Sequence, residues 1–267
     1  MEKNTSVTFS GSGYLFPVFV GSLTALEELE YVVQEISGTS GGSIVAALYA
    51  TGMSVQELKD IVINQDFSYM MSFRLWGWWD GFCDPNPLLQ FVKTHTNDKC
   101  FSDVNIPLYI STTDITDGKN KCFSSDTTPD IKIADAVRAS TSLPFIYPPM
   151  KINDKEYVDG GITEDISFSY LKKSPKIGIE TRTPYTPLTS DPDWLQMAER
   201  LISVLISSNE NARIHQAVEE GSVALTVNPF PYTLLQKNMS KSDKQKLFDM
   251  GYEVVMNNLS KLPKGKP

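Results

Sequence analysis

The most constraining feature of the chain is a serine set among glycines, Gly38-Thr39-Ser40-Gly41-Gly42. A β-prone run leads into it at residues 31–36 (Tyr-Val-Val-Gln-Glu-Ile), and an apolar run follows at 43–49. An extended segment that turns at once into a helix needs glycines at the bend, where a larger side chain would clash. Such a turn leaves the central serine exposed at the carboxyl end of the strand. The residues before it repeat the pattern: 6–10 are β-prone, Gly11-Ser12-Gly13 is a loop, and 17–29 have helical spacing. A β-α-β-α opening predicts an α/β fold with a parallel sheet and helices on both faces.

Further along, Ser54 with Glu57 three residues later is a capping box that predicts a helix to about residue 64, and another helix starts near Pro87. Residues 108–113 and 121–125 read as strands around Asp117-Gly118. Residues 131–139 read as a helix stopped before Pro144, and 156–159 as a short strand running into Gly160-Gly161. A long amphipathic helix is expected over 193–220, ended by Asn228-Pro-Phe-Pro231, and a last helix over 242–259. No repeat, low-complexity tract or linker divides the 267 residues, so one domain over 1–267 is expected.

Charge narrows the possible partners. With 24 basic against 32 acidic side chains the chain carries a net charge of −8, which leaves no basic surface for nucleic acid or for electrostatic docking on anionic lipid. Contact with a membrane would have to be apolar. The first residues lack the basic and apolar segments of a signal peptide, and the longest apolar stretch, 14–20, is too short to span a bilayer. A cytoplasmic protein is expected, with any membrane or lipid-droplet contact peripheral. Three cysteines without a Cys-x-x-Cys spacing predict free thiols rather than disulfides or a zinc site.

Ser40 is the candidate nucleophile, at the head of a helix whose N-terminus favours negative charge. A plain glycine-rich turn or a phosphate-cradling loop is the competing reading. A serine hydroxyl needs a base. The two histidines, His95 and His215, fall inside expected helices rather than after a strand, and both read as surface residues. Attention therefore passes to a carboxylate. In Tyr157-Val158-Asp159-Gly160-Gly161 an aspartate ends a short apolar strand before two glycines. Alone this is a turn; coupled to the Ser40 motif, Asp159 becomes the candidate base. Gly11-Ser12-Gly13, between the first strand and the first helix, can aim amides at a developing oxyanion. The alternative is a phosphate loop, although the Walker Gly-Lys-Ser/Thr and the third glycine of a dinucleotide fingerprint are absent.

Together these elements resemble the patatin-like phospholipase family: a glycine-rich loop after the first strand, a Gly-x-Ser-x-Gly turn some thirty residues on, and a distant Asp-Gly-Gly. Phe9-Ser-Gly-Ser-Gly-Tyr-Leu15 looks more like the Gly-x-Gly-Phe-Leu form of the animal triglyceride-lipase branch than the plant and bacterial form, with Leu15 where the latter has a basic residue. The stretch 136–149 (Ala-Val-Arg-Ala-Ser-Thr-Ser-Leu-Pro-Phe-Ile-Tyr-Pro-Pro) and the closing 242–252 also match. Ser12 in place of a middle glycine, and Ile162-Thr-Glu-Asp-Ile-Ser167 where the family has Asn-Pro, depart from the pattern.

The resemblance implies a three-layer α/β/α fold with a mostly parallel central sheet. It also implies a Ser40–Asp159 dyad without histidine, and an oxyanion hole from Gly11, Ser12 and Gly13 with Gly41. The substrate would be a phospholipid or acylglycerol, met peripherally at a lipid surface, and no metal or organic cofactor is required. A thioesterase or short-chain carboxylesterase with the same dyad, and a lipid-binding module without turnover, remain as rivals. Residues 67–82, rich in Trp, Phe and Met, read either as core packing around a loop or as a lipid-facing lid.

Overall fold

The computed structural model describes residues 3–72, 81–184, 187, 188 and 190–260. Its strands join one sheet: β1 (Lys3–Phe9), β2 (Tyr31–Thr39), β3 (Leu108–Asp114), β4 (Lys119–Ser124), β5 (Met150–Ile152), β6 (Lys155–Asp159), β7 (Lys176–Thr181) and β8 (Val223–Val227). The order is β5-β6-β3-β2-β1-β7-β8, with β4 also paired to β3. The run β3-β2-β1-β7-β8 is parallel, and β4, β6 and β5 add antiparallel pairs at one side. The fold is α/β with a mostly parallel sheet, as expected. β2 extends three residues beyond the run read from the sequence, into the serine motif itself. β7 and β8 carry no clear sequence signal: both are short, β7 contains Gly178, and β8 follows its helix after three residues.

The helices are α1 (Pro17–Glu28), α2 (Gly41–Ala50), α3 (Val55–Asn64), α4 (Asn86–His95), α5 (Ile133–Ser140), α6 (Trp194–Glu219) and α7 (Lys241–Leu259). Several begin where the sequence places a cap. Ser54 and Glu57 form the reciprocal box at α3, Asp193 with Gln196 does the same at α6, and Ser240 with Asp243 at α7. None of the described helices is long and apolar enough to cross a membrane. His95 departs from its expected surface role: it is half-buried at the end of α4, its Nδ1 sharing a hydrogen bond with Phe91 O at 2.8 Å. His215 is exposed.

The two faces of the sheet are built differently. Val7, Phe9, Ile36, Leu108 and Ile110 point into the large apolar core with α1 and α2, where Phe9 stacks on Phe19 at 4.7 Å. The alternate residues are small and polar. Ser6, Ser37, Thr39 and Ser111 donate to carbonyls of Lys173, Ser167 and Glu164, while Thr8 Oγ1 accepts Ser167 N–H. Buried Glu35 accepts Ser6 Oγ at 2.8 Å and the amides of Lys172 and Lys173 at 2.6 Å. This second face thus holds down a chain segment through its backbone polar groups, and buried polar groups satisfied in this way carry little desolvation cost. α6 lies beyond that segment, with Ile214 and Ala217 packed on Ile166 and Phe168.

Candidate active site

Ser40 sits between β2 and α2 with φ 49° and ψ −126°, a backbone conformation rarely adopted by a residue with a side chain. The surroundings enforce it. A Cβ on Gly38 would lie 2.6 Å from Gly42 O, and one on Gly42 would lie 2.4 Å from Ser10 O, so both flanking positions admit only glycine. The Ser40 N–H donates to Ser140 Oγ at 2.9 Å, whose hydroxyl donates onward to Ser111 O at 2.6 Å. Ser40 O accepts both Ser43 N–H and Ser43 Oγ.

Strand register brings Asp159 to this turn. β4 occupies one edge of β3 along residues 109–114, so β2 and β6 share the other edge. The last β2 pair is Thr39 with Ser111, and the adjoining β6 pair is Asp159 with Thr112. Asp159 therefore faces the β3 residue that the next residue of β2, Ser40, would have faced had the strand continued. Three further contacts fix it: Asp159 N–H donates to Ser142 O at 3.0 Å, Thr113 Oγ1 donates to Asp159 O at 2.9 Å, and a Cβ on Gly160 would stand 2.3 Å from Ser111 O.

The Asp159 side chain is fully buried. Oδ1 accepts Gly161 N–H at 2.9 Å. The Ser40 hydroxyl adjoins the carboxylate and favours its ionised form, although Oδ2 completes no hydrogen bond with a protein group. Resting hydrogen bonds of this kind often close only with substrate in place. Burial prevails over both donors and pushes the carboxyl up to about 7.

The Gly11-Ser12-Gly13 loop lies against the serine turn. A Cβ on Gly41 would meet Ser12 Oγ at 2.4 Å and Gly13 O at 2.5 Å, and one on Gly11 would meet Ser40 Cβ at 3.3 Å. Its amides are partly committed. Gly11 N–H donates to Asp165 Oδ1 at 2.9 Å, Tyr14 N–H to Leu234 O at 3.0 Å and Leu15 N–H to Ser12 O at 3.0 Å. The amides of Ser12, Gly13 and Gly41 stand outside these bonds. The structure thus gathers Ser40, Asp159, Gly11, Ser12, Gly13 and Gly41 in one place, and adds Asp165. Its only trace in the sequence is the departure from Asn-Pro after Gly161.

An apolar cavity of about 40 Å³ opens beside Ser40 and Gly41, walled by Tyr14, Ile44, Met70, Met71, Leu143 and Leu235. Behind that wall Arg138 is buried. Its guanidinium donates to Ser142 Oγ and to Pro148 O and lies 5.2 Å from the Tyr147 ring centroid, which holds the segment that carries Leu143. Burial lowers the Arg138 pKa to about 10. Of the segment read as a core loop or lid, Phe67, Met70 and Met71 are buried; residues 73–80 lie outside the described residues.

A serine at a strand-to-helix turn over a mostly parallel sheet, with an apolar cavity at its side, is the arrangement on which α/β hydrolases are built. The model of the patatin-like phospholipase family matches residues 7–172, and the chain belongs to that family. The probable lipid hydrolase 463L of Invertebrate iridescent virus 6 is 26% identical over 86% of this chain and 81% of its own length. An uncharacterised protein of Acanthamoeba polyphaga mimivirus, R571, is 26% identical over 96% of this chain and 94% of its own. Among solved structures, VipD from Legionella pneumophila superposes with a TM-score of 0.65 at 16% identity, over 97% of this chain and 67% of VipD. This likeness concerns the fold.

Proposed function

We propose that the chain, read as one patatin-like unit over 1–267, cleaves fatty-acyl esters of phospholipids or acylglycerols through a Ser40–Asp159 dyad. Asp159 accepts the Ser40 proton as Oγ attacks the ester carbonyl. The amides of Ser12, Gly13 and Gly41 hold the oxyanion; as the adduct collapses the ester C–O bond breaks, and the alcohol or lysolipid leaves with the proton returned by Asp159. Water then attacks the acyl-Ser40 ester by the same route and releases the fatty acid. Gly11, expected among the oxyanion donors, has its amide engaged by Asp165 in the resting state and serves by shaping the loop.

One observation carries the reading. Beside Ser40 lies a buried carboxyl whose pKa stands near 7, with one oxygen not yet hydrogen-bonded, where no histidine lines the cavity. The lipid is met at the surface of a lipid phase, by apolar contact. The test is incubation of wild-type, Ser40→Ala and Asp159→Asn protein with a mixed lipid extract, with released fatty acids and lysolipids read by mass spectrometry. Products from wild type alone are expected; equal product from Ser40→Ala would sink the mechanism.

The narrow cavity supports a second reading, a carboxylesterase or thioesterase for short acyl groups. A long acyl chain enters only if the flexible side chains of Met70 and Met71 swing aside. A chain-length series separates the two: rates that fall steadily beyond about six carbons favour the short-chain enzyme.

A further inference from the structure

Asp165 is buried in the seam between the Gly11-Ser12-Gly13 loop and the Asp159 turn. Its Oδ1 accepts Gly11 N–H at 2.9 Å. The same oxygen lies 2.5 Å from where a Cβ on Gly11 would stand and 2.9 Å from where one on Gly161 would stand. One carboxylate oxygen thus hydrogen-bonds the loop that follows β1 and lies close to the Gly161 backbone that follows β6. It does not reach the reacting atoms through any step above.

The loop needs such an anchor. Ser12 is flanked by two glycines, and Gly13 has φ +53°, so its peptide planes rotate at little cost unless something pins them. The Gly11 carbonyl accepts Ser10 Oγ at 3.0 Å and Thr181 Oγ1 at 3.2 Å, and Tyr14 N–H is held by Leu234 O. Asp165 supplies the remaining hold, on the Ser10–Gly11 peptide that leads into the plane carrying the Ser12 amide. Without it the Gly11 N–H is buried with no acceptor, and a turn of the peptide toward another partner becomes favourable.

We infer that Asp165 is a positioning residue of the acyl-transfer site: by fixing the Gly11 peptide it keeps the Ser12 and Gly13 amides aimed at the oxyanion. The inference rests on the acyl-hydrolase reading. It requires an acceptor oxygen at position 165, not a negative charge, and that requirement separates it from a general electrostatic role.

The experiment measures kcat and KM for a soluble p-nitrophenyl ester, fluorophosphonate labelling of Ser40 and thermal unfolding, for wild type, Asp165→Asn and Asp165→Ala. Asp165→Ala should lose about a hundredfold in kcat, the size of a lost oxyanion donor, with KM within about twofold. Asp165→Asn, which keeps the acceptor, should retain at least about a third of kcat. A kcat within about threefold of wild type in Asp165→Ala overturns the inference, as does a loss in a well-folded Asp165→Asn as deep as in the alanine variant. If Asp165→Ala does not fold, Asp165→Ser and Asp165→Asn take its place: the serine variant, whose shorter side chain does not reach Gly11 N–H, should lose kcat as the alanine variant would, and a serine variant as active as the asparagine one overturns the inference. Wild type that hydrolyses no ester and takes no label at Ser40 fails the acyl-hydrolase reading and this inference with it. An active, labelled wild type beside an unimpaired Asp165→Ala fails this inference only.

Discussion

Two buried aspartates stand on the same β3–β6 ladder, Asp114 opposite Tyr157 and Asp159 opposite Thr112, and their carboxyls shift in opposite directions. Burial pushes both upward. At Asp114 it is outweighed: Oδ1 accepts the amides of Thr116 and Asp117 at 3.0 Å, Oδ2 accepts Lys155 Nζ at 3.1 Å, and the carboxyl is held below the usual range. At Asp159 one amide and the adjoining Ser40 hydroxyl are too few, and the carboxyl rises to about 7. What separates an inert carboxylate from a candidate base here is depth and donor supply together: Asp159 lies in the interior with few donors, whereas Asp114, though covered, lies close to the surface beside Lys155 and the turn amides. An under-supplied carboxylate keeps affinity for a proton at neutral pH, as a general base must.

The largest expected effect tests the two positions directly. Asp159→Asn should lower kcat on a short-chain ester by about a thousandfold or more with the fold retained, while Asp114→Asn stays within a few-fold. Equal losses in both variants would erase the contrast.

Next come the pH dependences, which should run in opposite senses. Activity should rise as Asp159 ionises, through about pH 7 in wild type and in Asp114→Asn alike. For stability, the folded state holds the Asp159 proton more tightly than the unfolded chain does. That contribution is therefore lost as pH rises from about 4, the unfolded value, to about 7, at about 1.4 kcal/mol per pKa unit. Denaturant melts should show Asp159→Asn gaining on wild type between pH 4 and 8. The lowered Asp114 contributes stability that is present above the ordinary aspartate range and lost as pH falls through its folded value. Asp114→Asn should cost more at pH 7 than at pH 3. Parallel slopes in the two variants would show that the donors do not set the difference.

The smallest effect concerns Lys155, a half-buried partner of Asp114 and Asp117. Lys155→Ala should lower the melting temperature by about 2 °C or less and leave kcat unchanged. A larger fall would mean that the lysine, more than the turn amides, holds Asp114 ionised.

How far the sequence disclosed this arrangement differs by residue. Ser40 was legible because its glycines sit between a β-prone run and an apolar helix, so local chain geometry alone demands them. The Ser54 and Asp193 helix starts were legible for the same local reason. Asp159 became a candidate only through its coupling to Ser40, since an Asp-Gly-Gly is otherwise a turn. Its raised pKa comes from a burial that no spacing reveals, only partly offset by the Ser40 hydroxyl and the Gly161 amide. Asp165 shows in the sequence only as part of the departure from Asn-Pro after Gly161. Its partner Gly11 lies far back in the chain, and only the tertiary fold joins them. The hydroxyl-lined face of the sheet was obscured likewise, because Ser6, Thr8, Ser37 and Thr39 weaken the apolar signature that buried parallel strands usually carry.

The edge of β3 shared by β2 and β6 also bears on divergence. Because the two strands abut on one template, the spacing between Ser40 and Asp159 is set by neighbouring register positions and is indifferent to the length of chain that separates them. The loops at 115–118 and 125–131 lie outside the contacts that fix Ser40 and Asp159, so their length can vary without re-aiming either side chain. The length of chain between the two motifs is thereby uncoupled from their meeting, and a lineage of such proteins can rewrite those loops while the strands keep the ruler.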